Sequence, residues 1–322
     1  MKKHLVLLVG FVVYCATPVY CKSGNTPVQV RVCKAVEHEA LNAVVEGMRD
    51  YLSRKNKKQG KKYVVSTETC QGNMALAAQI IEKFVHSTTD VVVTVGTGPT
   101  QCAFKLAKEK KIALVFSSVT NPDNVSSNLS GSNTTGVSNF VPLEPQIELF
   151  KELLPNLKNL GILYNPGEAN AVCIVERLEK ICPQYGIVLV KQAGSRIADI
   201  PQSVKSLAKK VEAVFISNDN LALSAMANVV AICNIAKIPV FVSDTDQVEK
   251  GCLAALGPNQ YDIGLQTGEI VERVACGEDI NTIDVEYPRK SELYLNVKAA
   301  QLLAISIPDH LKAKAKKLIG EE

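Results

Sequence analysis

Residues 160–170 read Leu-Gly-Ile-Leu-Tyr-Asn-Pro-Gly-Glu-Ala-Asn, and this stretch indicates the fold of the whole chain. Its apolar run predicts a β-strand, the Asn-Pro-Gly step ends that strand, and apolar residues at helical spacing from Val172 to Ile181 predict a helix. The same order of apolar run, small polar cluster and helix returns in four further places: 91–108, 112–122, 213–236 and 239–250. Such units predict an α/β fold in which the polar loops meet at the carboxyl ends of parallel strands, where open α/β sheets bind ligands.

Length and composition predict a globular protein of two domains. The chain has 322 residues, which exceeds the usual size of one domain. Apolar residues make up 47% and charged residues 21%, as in ordinary soluble proteins. The net charge of +4 is small, so we expect no nucleic-acid partner, which usually requires a concentrated basic face.

Residues 1–22 have the parts of an export signal peptide. Two lysines precede an apolar core at Leu5–Val13, which is about half as long as the roughly 20 residues that span a membrane. Cys15 and Cys21 leave a lipid anchor open as an alternative. Each follows a tyrosine, where a bacterial lipid-attachment signal has a small residue, so a soluble exported protein is favoured.

The remaining cysteines give no indication of a metal or redox site. They are widely spaced and form no Cys-x-x-Cys pair: Cys33, Cys70, Cys102, Cys173, Cys182, Cys233, Cys252 and Cys276. Most have apolar neighbours, so we expect buried free thiols, although an exported protein is also permitted disulfides. We therefore predict neither a metal nor a cofactor.

Residues 96–101 follow an apolar run and read Gly-Thr-Gly-Pro-Thr-Gln. The third glycine of a dinucleotide-binding motif is missing, so a nicotinamide cofactor is not expected. A helix that begins at Pro99 would direct free N–H groups at a small anion, with the hydroxyls of Thr97 and Thr100 as further donors. The alternative is an ordinary helix cap without a ligand.

Two other polar segments follow predicted strands. Ser117 and Ser118 end the apolar run 112–116, and we expect their hydroxyls to converge on the same ligand. The sequence Glu-His-Glu at 37–39 is interpreted as a polar turn on the protein surface, with a role in a pocket as the alternative. Residues 123–136 are rich in Ser, Asn and Gly and predict a loop.

The order of predicted elements divides the mature chain into two lobes. The chain is expected to cross between them near residues 140, 258 and 283. This gives a first lobe of residues 28–140 plus 258–282 and a second lobe of residues 141–257 plus 283–322. Such crossings predict a hinge of several strands with a cleft between the lobes.

Several segments, spread over roughly residues 30–300, resemble ABC transporter substrate-binding proteins of the type I periplasmic-binding class, in particular those of the tryptophan/tyrosine type. The segments are 36–38 with Leu41, 71–74, 116–122, 136–138, 164–170, 219–220, 243–246 and 264–268. Tyr-Asn-Pro-Gly-Glu-Ala-Asn at 164–170 is the most specific of them.

The resemblance implies two Rossmann-like lobes with parallel sheets, joined by a multi-strand hinge. It also implies a periplasmic monomer without enzymatic activity, which captures a small amino acid, expected to be aromatic, and delivers it to an ABC permease with its ATPase subunit. The alternatives are a ligand-sensing protein for a receptor, or a binder of a sugar or nucleoside. The ligand-binding residues predicted on all these grounds are Glu37, Thr97, Thr100, Ser117, Ser118, Asn165, Glu168, Asn170, Asp219, Asn220, Asp244 and Asp246.

An amino acid needs a group of each charge to hold it. The helix start at 99–101 and the nearby hydroxyls suit its carboxylate. Asp219 and Asp246, with Asn165 nearby, suit its ammonium group. The alternative for both acids is that they only cap the helices that follow them.

Overall fold

The computed structural model describes residues 26–59 and 62–321, which form two α/β sheets. Residues 1–22, on which the predictions of export and of a lipid anchor depend, lie outside the described residues. None of the helices in the described part of the chain has the length and apolar character that a membrane crossing requires.

The described residues contain twelve strands and eleven α-helices. The strands are β1 Val28–Lys34, β2 Tyr63–Thr69, β3 Val91–Val95, β4 Ala113–Val119, β5 Thr134–Ser138, β6 Asn159–Tyr164, β7 Val188–Ala193, β8 Ala213–Ile216, β9 Val240–Val242, β10 Ala254–Gly257, β11 Glu292–Asn296 and β12 Lys317–Ile319. The helices are α1 Glu39–Gln59, α2 Met74–Val85, α3 Thr97–Lys110, α4 Glu144–Leu153, α5 Ala169–Ile181, α6 Ile200–Leu207, α7 Asn220–Ser224, α8 Met226–Ile235, α9 Gln260–Ala275, α10 Val297–Leu302 and α11 Asp309–Lys314.

The first sheet has five parallel strands in the order β2-β1-β3-β4-β5. Helices cover both of its faces, α1 and α9 on one and α2 and α3 on the other. The central strand β3 is buried at every position, as its sequence Val-Val-Val-Thr-Val requires. We call this sheet with its four helices the first lobe.

The second sheet has seven strands in the order β12-β11-β10-β9-β8-β6-β7. Only the β10–β11 pair is antiparallel. Aromatic packing holds α4 against this sheet, since the ring of Phe150 stacks on that of Phe241 at 4.1 Å between centroids. We call this sheet with its helices the second lobe.

Helices α1 and α9 pack so closely that their backbones touch. A Cβ atom on Gly264 would lie 2.1 Å from the carbonyl oxygen of Val44, and one on Gly47 would lie 2.1 Å from that of Tyr261. Glycine is therefore required at both positions. Because α9 follows β10 of the second sheet, this contact returns the chain to the first lobe.

The fold class matches the prediction, and most elements lie where the periodicity placed them. Three boundaries differ. Helix α3 begins at Thr97 and not at Pro99, because Gly96 (φ 100°) turns the chain directly into the helix. The stretch 123–136 was predicted as a loop, yet β5 begins at Thr134. The backbone of Glu286 hydrogen-bonds to β5 of the first lobe, whereas the first lobe was predicted to end at residue 282.

Candidate ligand-binding cleft

A narrow cleft lies between the two lobes, at the carboxyl ends of their parallel strands. The enclosed space is about 20 Å³, room for roughly one water molecule, so the two lobes lie close together here. Its lining residues are His38, Ala40, Leu41, Gly96, Thr97, Ser118, Thr120, Asn139, Asn170, Asn218, Asn220, Leu223, Asp244 and Gln260. The loops after β1, β3 and β4 of the first lobe thus face those after β6, β8 and β9 of the second.

Unsatisfied polar atoms concentrate in this cleft. Among the described residues, eight buried side-chain nitrogen and oxygen atoms have no hydrogen-bond partner, and five of them belong to lining residues. The five atoms are Thr97 Oγ1, Ser118 Oγ, Asp244 Oδ1, Asp244 Oδ2 and Gln260 Oε1. Because buried polar groups are nearly always hydrogen-bonded, such a concentration indicates a site that is completed by a ligand.

Ser118 reaches the cleft through a β-bulge. The pairing of β4 with β5 shifts between Ser117 and Val119, which leaves Ser118 unpaired in the ladder with φ 54°. A non-glycine residue in this left-handed region is uncommon and often occurs at functional sites. The bulge directs the Ser118 side chain into the cleft while Ser117 stays in the sheet.

The amino end of α3 also faces the cleft. Gly96 precedes the helix and offers no side chain to cap it, so the first N–H groups of this 14-residue helix lack a side-chain partner at the cap. A side chain at Gly96 would be strained, since φ is 100° and its Cβ would lie 3.0 Å from that of Ala35. Helix α3 therefore presents the positive end of its dipole beside Thr97.

Asp244 is the one acidic side chain among the residues that line the cleft within the described part of the chain. It is 2% exposed, and neither carboxyl oxygen has a hydrogen bond of normal geometry. Burial, with a smaller effect from the charge of Asp246, raises the pKa of Asp244 to about 8. This carboxyl group is therefore largely protonated at neutral pH.

Contacts across the cleft join the two lobes. His38 Nε2 lies 3.2 Å from Asn220 Oδ1, and Asn218 Nδ2 donates to Thr120 Oγ1 at 3.3 Å. At one edge, a salt bridge of 2.8 Å connects Lys250 to Glu39. The lobes are thus closed on each other in this structure.

A larger groove of about 780 Å³, open to solvent, lies outside the cleft. It is lined by both lobes, with Met74 and Gln101 from the first and Ile197 and Leu221 from the second. Asn170 and Asn220 line both spaces. The groove is therefore the outer approach to the cleft.

Five of the predicted ligand-binding residues line the cleft: Thr97, Ser118, Asn170, Asn220 and Asp244. Three others, Glu37, Asn165 and Glu168, line only the outer groove. Glu37 is held there by Lys34 and Thr69, and the hydrogen bond from Lys34 lowers its pKa.

The other four predicted residues lie at neither space. Thr100 donates to the carbonyl of Gly96, and Ser117 shares a hydrogen bond of 2.7 Å with Thr267. Asp219 accepts hydrogen bonds from the N–H groups of Ala222 and Asn165, so it caps α7, as the alternative interpretation held. Burial, opposed by these amides, raises its pKa to about 7. Asp246 lies one turn beyond Asp244, in a 3₁₀ segment outside the cleft.

The cleft also contains polar residues that were not predicted: His38, Thr120, Asn139, Asn218 and Gln260. His38 was interpreted as an exposed polar residue, but the opposite lobe covers it, and this burial lowers its pKa. The position of Asn218 directly after β8 was a usable signal, since the neighbouring Asp219 and Asn220 were chosen on that ground. Gln260 follows a crossing between lobes, where no motif indicates a site.

The described residues contain neither a cluster that suits a metal ion nor a disulfide bond. Over residues 26–59 and 62–321, His, Cys, Asp and Glu side chains nowhere form a group of three or more that suits a metal ion. None of the eight cysteines in these residues forms a disulfide, and all but Cys102 and Cys276 are buried.

Comparison with known proteins agrees with this architecture. Residues 29–319 match the family model described as ABC transporter substrate binding protein. A curated relative, the tyrosine-binding protein of Clostridioides difficile, is 27% identical over 290 residues, which are 88% of this chain and 83% of that protein.

Two solved structures differ in their bound state. The ABC domain from Streptococcus pneumonia in complex with L-Trp is 27% identical, with a TM-score of 0.85 over 91% of this chain and 100% of that one. A ligand-free, open structure of a substrate-binding protein with adhesive properties from Clostridium difficile is 26% identical, with a TM-score of 0.68 over 91% and 100%. At nearly equal identity, the lobes of this chain are thus arranged more like those of the complex.

Proposed function

The chain belongs to the family of ABC transporter substrate-binding proteins, and on that premise we propose that it binds an aromatic amino acid between its lobes and delivers it to a membrane permease. Proteins of this family are extracytoplasmic transport components and not enzymes. The observation that carries the proposal is Asp244, a buried carboxyl group that lines the cleft and has no hydrogen bond of normal geometry.

Asp244 is suited to the ammonium group of an amino acid. A buried carboxylate without a partner is unfavourable, and a ligand cation with N–H donors relieves both its charge and its missing hydrogen bonds. A sugar offers hydroxyl groups but no charge, so Asp244 would stay neutral beside it, whereas an ammonium group allows Asp244 to ionise and forms a stronger, charge-assisted hydrogen bond. The arrangement therefore favours a cationic group on the ligand.

The first lobe is suited to the carboxylate of the same ligand. The hydroxyls of Thr97 and Ser118 are free to donate, and the amino end of α3 lies beside them. A carboxylate in this position receives hydrogen bonds and a favourable helix dipole without needing an arginine or lysine. An α-amino acid would then join the lobes, with one charged group held by each.

The side chain of the ligand has apolar contacts available at Ala40, Leu41 and Leu223. We infer an aromatic side chain from two relatives, one described as a tyrosine-binding protein and one solved with L-Trp. Closer agreement with the L-Trp complex than with the ligand-free structure supports closure of the lobes around the ligand by a hinge motion.

Binding is measured directly because the chain contains no tryptophan. Added L-tryptophan is then the only indole in the sample, and we expect its emission to shift to shorter wavelength and its anisotropy to rise with protein concentration. Tyrosine and phenylalanine are tested by competition. If all three fail while branched amino acids, sugars or nucleosides bind, the aromatic assignment is wrong.

Two analogues separate the charged ends of the ligand. Tyramine lacks the carboxylate and 3-(4-hydroxyphenyl)propionate lacks the ammonium group, and both keep the ring. We expect both to bind at least about thirtyfold more weakly than tyrosine, since each leaves one half of the charged site unfilled. Equal affinity for all three compounds would show that the ring alone is recognised.

The transport role, the expected monomeric state and export by residues 1–22 belong to the same proposal. Reconstitution of the permease and its ATPase subunit in vesicles tests delivery, because uptake of labelled tyrosine should then depend on this protein. Stimulation of a receptor in place of uptake would support the sensing alternative.

A further inference from the structure

We propose that His38 and Asn220 form a gate between the cleft and the outer groove, and that Glu168 is the positioning residue that holds this gate in place. The inference rests on the proposed function, in that it describes how the same cleft retains its ligand. It assigns to Glu168 a role different from the ligand contact that the sequence predicted.

The position of the gate follows from the two spaces. His38 lines the cleft, Glu168 lines the groove, and Asn220 lines both. The contact of 3.2 Å between His38 Nε2 and Asn220 Oδ1 crosses from one lobe to the other. A ligand that leaves the cleft toward the groove on this side must separate these two side chains.

The hydrogen bonds determine which atom donates. The N–H of Leu41 donates to His38 Nδ1 at 3.3 Å, so this nitrogen carries no proton in the neutral ring. Burial lowers the pKa of His38, which keeps the ring neutral. The proton therefore lies on Nε2, which donates to Asn220 Oδ1.

Glu168 fixes the amide of Asn220 in the matching orientation. Asn220 Nδ2 donates to Glu168 Oε2 at 2.6 Å, which leaves Oδ1 directed at His38. The same carboxylate also accepts from the N–H groups of Asn220 and Leu221, each at 3.1 Å, and from the side chains of Asn165 and Asn170. Its five donors all belong to the second lobe.

This asymmetry explains how the gate works. Asn220, which accepts the hydrogen bond, and Glu168, which orients it, both belong to the second lobe. Their arrangement therefore stays the same whether the cleft is open or closed. Within the gate, only the His38–Asn220 bond forms on closure, and it forms with groups already oriented. Loss of Glu168 should therefore affect how long a ligand stays bound more than how fast it arrives.

Glu168→Gln tests the inference, with Glu212→Gln as the matched control. Glu212 is also a second-lobe carboxylate that accepts several hydrogen bonds, from Lys158 and Asn159, but it lies at the opposite ends of the strands. Glutamine at 168 keeps the size of the side chain but presents an amide group to the donors of Asn220.

Stopped-flow fluorescence of L-tryptophan gives both rate constants. In Glu168→Gln we expect dissociation to be at least about tenfold faster, with association changed much less, since a hydrogen bond to a charged group is lost at the gate. Glu212→Gln should match wild type. Unchanged dissociation in Glu168→Gln, or an equal effect in both variants, overturns the gate.

Two further measurements keep the test independent of folding and of ligand identity. Asn220→Ala removes the gate but leaves Glu168 its other four donors, so it should also speed dissociation if Glu168→Gln does not fold. Nitrogen-15 NMR of the His38 ring in the protein saturated with L-tryptophan, or with whichever other ligand binds, should show the proton on Nε2 in wild type and Glu212→Gln, with an altered Nε2 signal in Glu168→Gln. A protein that binds no aromatic amino acid refutes the proposed function, whereas an unaltered His38 signal in Glu168→Gln refutes the gate.

Discussion

Replacement of Asp244 by asparagine should have opposite effects on stability and on binding. The side chain is buried, and this burial raises its pKa from 3.8 to about 8. A carboxyl group whose pKa is higher in the folded than in the unfolded state binds its proton more tightly when folded. It therefore lowers the stability of the protein as pH rises from about 4 to about 8, and the loss is complete above that.

The size of the effect follows from the same values. A difference between 3.8 and about 8 corresponds to on the order of 5 kcal/mol of lost stability above pH 8. Asparagine has a similar shape and never ionises, so Asp244→Asn should be more stable than wild type by several kcal/mol at pH 8.5. Near pH 4 both side chains are neutral when folded, and the two proteins should unfold at nearly the same denaturant concentration.

Binding should change in the other direction. An amino acid in the Asp244→Asn cleft keeps its ammonium group but loses the charge opposite it, which costs about 2–5 kcal/mol, or roughly thirtyfold or more in affinity. Urea unfolding at several pH values and calorimetric titration with tyrosine measure the two effects on the same samples. Asp246→Asn is the control for local charge, because Asp246 lies outside the cleft and its replacement should leave affinity nearly intact.

The reasoning is refuted by either of two results. If the stability difference between Asp244→Asn and wild type is the same at pH 4 and pH 8.5, the carboxyl group does not carry the burial penalty described. If tyrosine binds the variant as well as it binds wild type, Asp244 is not the ammonium anchor.

Three further predictions concern the cleft and the packing around it. Binding of tyrosine at pH 7 should release close to one proton, because the protonated Asp244 ionises when the ammonium group of the ligand binds beside it. For the same reason, the affinity for tyrosine should weaken about tenfold for each pH unit below pH 8. Calorimetry in buffers of different ionisation enthalpy measures the released protons, and a result of no release would refute this prediction. Ser118→Ala should weaken tyrosine binding by up to about tenfold but leave tyramine binding unchanged, whereas the neighbouring Ser117→Ala, whose hydroxyl bonds to Thr267, should alter neither. Gly264→Ala should lower stability by about 1–3 kcal/mol in urea unfolding, since its Cβ would lie 2.1 Å from the carbonyl oxygen of Val44, and an unchanged midpoint would show that the two helices separate without cost.

The sequence was sufficient for the fold because its strands and helices alternate with clear apolar periods. Strand β5 was the exception, since Thr-Thr-Gly-Val-Ser has the composition of a loop. The structure explains the small residues: a Cβ on Gly136 would lie 2.0 Å from the carbonyl oxygen of Phe116 on the neighbouring strand. Strand β5 therefore has small residues because it packs closely against its neighbour, although the same composition usually predicts a turn.

The site was predicted in part, and the limit has a physical cause. Position after a strand brought Thr97, Ser118 and Asp244 into the list, but it does not distinguish Asp244 from Asp246. Which of these two acids faces the cleft depends on where β9 ends and on the conformation of the turn that follows it. The spacing of residues in the sequence does not determine either of these. His38 was missed because the opposite lobe, distant in sequence, provides its burial.

The contact between α1 and α9 bears on how the protein is made. The ribosome synthesises strands β6 to β10 before it synthesises α9. During this time the face of α1 that packs against α9 in the finished protein is exposed to solvent. That face carries Val44, Gly47 and Tyr51, which meet α9 in the finished protein, and exposed apolar surface of this kind is prone to association. A nascent chain that stops before residue 260 is thus expected to hold a largely assembled second sheet beside an aggregation-prone first one, and to depend on a chaperone until α9 emerges.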